Sequence, residues 1–126
     1  MFGNDSLMPA SDEFDVTDAG VPTLTGALAT ITDFEVVEKN GNVAHELTFE
    51  VEGLGFPLTK QYWWEYPANA RAVQAGRGQL KRIAKAATGS TKYSRTSLIG
   101  KRVKLDVGED NSGFVQIKKI AAVNGG

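Results

Sequence analysis

The chain of 126 residues has no cysteine, which excludes disulfides, thiolate metal centres and a thiol nucleophile. It has one histidine, His45, so a histidine-based zinc site lacks its second ligand. No run of about 18 apolar residues occurs, and no segment reads as membrane-spanning. The opening stretch MFGNDSLMPASDEFDVTDAG has neither a basic start nor an apolar core, so it does not read as a secretory signal. A cytoplasmic protein is the expectation. The GRG and TGSTK stretches set glycines beside basic residues without the spacing of a phosphate loop. Asp12, Glu13, Asp15 and Asp18 are close together without the spacing of a calcium loop. Nothing marks a catalytic pair of carboxylates. The reading is a non-enzymatic protein with no cofactor and no metal.

What is present is a strong segregation of charge. The formal net charge is only −1, yet residues 1–59 hold eleven acids against one base, Lys39. Residues 60–104 hold eleven bases against one acid, Glu65, a local charge of +10. Such a basic stretch is the footprint expected of a surface that meets a polyanion. A solvated helix face offset by the acidic half is the simpler alternative.

Residues 1–22 are acidic, rich in Ser, Asp and Gly, and without period, so they are expected to form a flexible N-terminal tail. Residues 23–126 are expected to form one domain. TLTGALATITDFEVVE is β-rich, and its alternation slips between Leu28 and Ile31, which predicts a bulge or bend near Gly26. KNGN is a hairpin turn signal. Val43, His45, Leu47, Phe49 and Val51 then alternate with polar or small residues, giving a strand with one apolar face on which His45 reads as a core histidine. A third strand spans residues 56–64. Pro67 to Thr88 reads as a helix closed by Gly89, with Gly76 and Gly78 as flaws that suggest a kink. After a polar loop at 90–97, two more strands lie in IGKRVKLDVG and GFVQIKKIAAV. The order β-β-β-α-β-β is that of the five-stranded OB barrel, a fold whose face carries oligonucleotides and oligosaccharides.

Tyr62, Trp63, Trp64 and Tyr66 are four of only eleven aromatic residues. Neighbours on a strand point to opposite faces, so Trp63 and Trp64 cannot share a role. A three-residue turn at 53–55 would pair Thr48 with Lys60 and Ala44 with Trp64, sending Trp63 inside. Lys60, Tyr62 and Trp64 would then share the solvent face, an arrangement that also avoids burying an unpaired lysine. A turn of two or four residues would reverse the assignment. Exposed rings of this kind stack on the bases of single strands, at about 1–3 kcal/mol per base. Arg77, Lys81 and Lys85 form one helix stripe with Arg71 and Arg82 at its edges. Lys92, Tyr93 and Arg95 occupy the loop, while Lys101, Arg102 and Lys104 open the fourth strand. Of Lys118 and Lys119, adjacent on the last strand, only one is expected to face outward.

The stretches HELTFEVEG, LTKQYWWEYPANARAVQAGRGQLKRIAKAAT and SLIGKRVKLDVG resemble small phage-encoded OB-fold proteins that bind single-stranded DNA. The resemblance runs from about Thr23 to Val123. It implies a role in phage replication or recombination, in the host cytoplasm. It also implies that the Lys60, Tyr62 and Trp64 strand forms part of the DNA surface, with Lys101 and Arg102 near it. The expected partner is therefore single-stranded DNA; the acidic segment from Asp5 to Asp18 is expected either to compete with DNA for the basic patch or to recruit replication or recombination proteins. One barrel covers about 4–16 nucleotides, so useful affinity calls for homo-oligomers or cooperative coating. The main alternative is an interaction module that uses its aromatic patch as a protein contact; a duplex or RNA binder is the third class.

Overall fold

The computed structural model describes residues 21–123; the tail expected at 1–22 lies outside them apart from its last two residues. Five strands are present: β1 (Leu24–Lys39), β2 (Asn42–Val51), β3 (Leu58–Glu65), β4 (Arg102–Glu109) and β5 (Val115–Ala122). Between β3 and β4 lie α1 (Ala70–Thr88) and the short α2 (Arg95–Leu98). The sheet runs β3-β2-β1-β4-β5 with every neighbouring pair antiparallel. The fold is mainly β, a curled half-barrel of OB-like order with α1 packed against both edge strands, β3 and β5. Among the described residues no helix is long and apolar enough to cross a membrane.

β1 reaches both halves of the sheet because it bends twice. One irregularity falls between Leu24 and Ala27, where Gly26 takes a positive φ of 61° and its N–H donates to Asp106 Oδ1 at 2.7 Å. This is the predicted bulge. A second, between Ile31 and Asp33, was not legible in the alternation. It moves the buried set of β1 from Ala29 and Ile31 to Phe34, an odd-to-even change that an extra residue produces. The β1–β2 turn has Asn40 and Gly41 both at positive φ, the geometry that favours an Asn-Gly pair in a two-residue hairpin.

The core gathers the inner faces of the strands, led by Ile31, Leu47, Phe49, Val103, Leu105 and Val107, under Leu80 and Ile83 of α1. α1 begins at Ala70 rather than Pro67 because the Asn69 side chain caps it, accepting from Ala72 N–H at 3.1 Å. It ends at Gly89, whose left-handed φ of 80° lets its N–H bond Lys85 O. The helix is continuous through both glycines. Gly76 is the point of contact with β3: a Cβ there would lie 2.5 Å from the Trp63 carbonyl oxygen and 2.6 Å from its nitrogen. The predicted polar loop contains α2, capped reciprocally by Ser94 and Ser97, which seats Leu98 in the core.

Candidate nucleic-acid interface

The register of β2 with β3 overturns the expected orientation of the aromatic strand. Leu47 pairs with Lys60, His45 with Tyr62 and Ala44 with Trp63. The turn between these strands therefore has the other parity, and the side chains of β3 from Leu58 to Trp63 change face; a bulge at Trp64 then returns Glu65 to its expected partner, Val43. Lys60, Tyr62 and Trp64 lie on the side of His45 and the core, not on an exposed row; Trp63 is on the opposite side, its ring edge-on to Tyr66 at 4.8 Å. The burial penalty on Lys60 is relieved from a distant place in the chain, since its Nζ donates to the Val115 carbonyl across the gap between β3 and β5. Tyr62 packs against the core, and burial holds its phenol pKa far above the ordinary value of 10.0.

Trp64 closes an aromatic cluster at the β1–β2 hairpin end. Its ring stacks on His45, with centroids 4.5 Å apart and 12° between planes. The Arg77 guanidinium carbon stands 4.1 Å from the Trp64 ring centre, and Arg77 Nε and one terminal nitrogen donate to the Trp64 carbonyl at 2.9 and 2.7 Å. His45 Nδ1 and the Tyr93 hydroxyl share a hydrogen bond of 2.6 Å, and Phe34 meets both rings edge-on. His45 is thus a core histidine whose Nδ1 is satisfied by Tyr93. Burial first, and the charge of Arg77 second, keep its pKa below the ordinary 6.5. Burial pushes the Tyr93 phenol up to about 12, against a smaller opposing effect of Arg77.

The remaining predicted cations divide. Arg95 is neutralised: it meets Asp33 at 3.1 Å and Glu35 at 2.9 Å, and donates to Phe34 O. Lys81, Lys85, Lys92, Lys101, Arg102 and Lys104 are exposed. Lys85 and Arg102 come together with Arg82, which sequence reasoning placed only at the edge of the stripe. These three line a groove of about 640 Å³ between the last turns of α1 and the ends of β4 and β5, floored by Ala86, Ala121 and Ile120. Arg82 also borders a neighbouring hollow with Lys118 and Lys119. Both lysines are exposed, contrary to the expectation that one would turn inward. The cause is a β-bulge: Asp106 pairs with Lys119 while Val107 pairs with Ile117, leaving Lys118 as the extra residue.

The face of β2 and β3 opposite the core has the other sign. Glu46 and Glu50 share it, Glu35 stands opposite Glu46 on β1, and Lys39 and Gln61 bridge toward Glu46 through bonds of 3.0 and 2.6 Å. That face carries negative charge, and among the described residues the α1–β4–β5 side carries free cations. Among the described residues, Glu35, Glu46 and Glu50 share one sheet face, while Arg82, Lys85, Arg102, Lys118 and Lys119 gather on the α1–β4–β5 side; Arg95 is the exception, paired with Asp33 and Glu35. Comparison of the chain with protein-family models and with curated proteins finds no match.

Proposed function

We propose that the protein binds single-stranded DNA without sequence specificity, acting in phage DNA replication or recombination as its resemblance implies. The carrying observation is the cationic path through Arg82, which borders one hollow with Lys118 and Lys119 and the next with Lys85 and Arg102, while Glu35, Glu46 and Glu50 share another sheet face. The path holds the phosphate backbone; its floor of small aliphatic side chains supplies no base readout. The preference for single strands rests on the half-buried rings at the hairpin end, which a duplex with stacked bases cannot use.

The test is fluorescence anisotropy with labelled oligo-dT and a matched duplex at two salt concentrations. About five phosphate contacts at a slope of about −0.7 each predict roughly hundredfold weaker binding between 50 and 200 mM salt. Arg82→Glu combined with Arg102→Glu weakens binding at least tenfold, whereas Arg95→Glu, already engaged with Asp33 and Glu35, changes it far less. No binding of oligo-dT at 50 mM salt refutes the reading. One observation favours the interaction module instead: Phe114, on the β4–β5 turn, is 68% exposed, and Phe56 is 46% exposed. A partner held by those rings would bind with little dependence on salt.

A further inference from the structure

We propose that the hollow beside Trp64 is a seat for one nucleotide, taking a flat base against Tyr66 and the part of the Trp64 ring that His45 and Arg77 leave uncovered, and a phosphate at Arg77. The hollow holds about 470 Å³, within the range of small-molecule sites. Three separate parts of the fold build it: Gly41 at the tip of the β1–β2 hairpin, Trp64, Tyr66 and Pro67 at the turn from β3 into α1, and Val73 with Arg77 on α1. The lining is mostly apolar, with the Arg77 cation and the Glu65 carboxylate set in it. That cation is held in place, because Nε and one terminal nitrogen of Arg77 are bound to the Trp64 carbonyl. Its other terminal nitrogen has no hydrogen bond among the described residues and is left to donate to a phosphate or base oxygen.

The composition narrows the ligand. A fixed guanidinium excludes a quaternary ammonium or lysine side chain, the other common guests of aromatic walls. Glu65, also on the wall, disfavours a run of phosphates, so the seat takes one nucleotide rather than a length of backbone. The nucleotide comes either free or as part of a strand. In the second form the inference rests on the single-strand reading above, with the basic groove holding the backbone and this seat holding one base.

Trp63→Phe leaves Trp64 as the chain's single tryptophan and keeps a ring against Tyr66. In that background Trp64 emission is followed during titration with dAMP and with oligo-dA, and strand binding is measured in parallel by anisotropy. Val73→Phe fills the hollow; Ala70→Phe, on an exposed wall position, serves if the first variant does not fold. The expected result is quenching by both ligands. In the filled variant the half-saturating dAMP concentration rises at least tenfold, while strand affinity falls only a few-fold because the groove remains. Quenching by dAMP without any strand binding supports the seat as a free-nucleotide site and overturns the single-strand reading. Strand binding with silent Trp64 emission, or with quenching unaffected by both filling variants, overturns the seat and leaves that reading standing. No response to either ligand in either assay overturns both.

Discussion

Alanine at Gly76 and alanine at Gly78 should act in opposite directions. Both glycines lie inside α1, and each costs about 1 kcal/mol relative to alanine in a helix interior. At Gly78 a Cβ meets nothing within 4 Å, so Gly78→Ala should recover that amount, about 1 kcal/mol of added stability. At Gly76 the Cβ would stand 2.5 Å from the Trp63 oxygen and 2.6 Å from its nitrogen. These are backbone atoms of a paired strand and cannot swing aside, so α1 must lift off β3. Overpacking of this kind costs about 1–3 kcal/mol, and lifting the helix also loosens Leu80 and Ile83 in the core. Set against the propensity gain, Gly76→Ala should come out up to about 2 kcal/mol less stable than the parent. The two variants then differ by about 1–3 kcal/mol, or about 4–12 °C in Tm for a domain of this size. Thermal unfolding followed by circular dichroism, with urea denaturation as a check, measures both. A Gly76→Ala protein as stable as Gly78→Ala would refute the close approach of α1 to β3.

Three further outcomes are expected. Because the His45 pKa is lowered in the folded state, the unfolded chain takes up the proton more readily; stability is intact above about pH 6.5 and declines as pH falls below it toward the folded pKa. His45→Phe should remove that part of the acid-side decline in urea-denaturation midpoints; an unchanged profile would show that His45 is not its source. Lys60→Met keeps the aliphatic stem and deletes the bond to Val115 O, and should lower stability by about 1.5 kcal/mol with little loss of oligo-dT affinity; the reverse pattern would make Lys60 a DNA contact. Arg95→Ala breaks two ion pairs whose side chains are about half exposed, and should cost about 0.5–1 kcal/mol, less at high salt. A loss above about 2 kcal/mol there would mean that α2 itself had detached.

The elements themselves were legible because their signals are local. The Asn40–Gly41 turn, the alternation of β2, the cap at Gly89 and the bulge near Gly26 each depend on residues a few positions apart, and the structure has all four. The order of those elements was enough to read an OB-like sheet. The charge blocks were equally plain, and among the described residues Glu35, Glu46 and Glu50 share one sheet face while Lys85, Arg102, Lys118 and Lys119 lie on the α1–β4–β5 side.

Which way β3 faces was decided only in three dimensions. Side chains alternate with a period of two, so a change of one residue in the turn after Val51 reverses the whole strand, and β3 carries an aromatic residue on each face. Pattern alone gives no preference between Trp63 and Trp64. The argument from Lys60 failed for a related reason: its partner, the Val115 carbonyl, is 55 residues away and adjoins it only when the sheet curls. The same holds for His45 meeting Tyr93, for Arg95 meeting Asp33 and Glu35, and for Arg82 joining Lys118 and Lys119. Composition and periodicity determined that this chain forms an OB-like sheet with segregated charge. Tertiary packing decided which cations are free, which rings are covered, and where the hollow beside Trp64 forms, because each depends on groups far apart in sequence brought within a few ångströms.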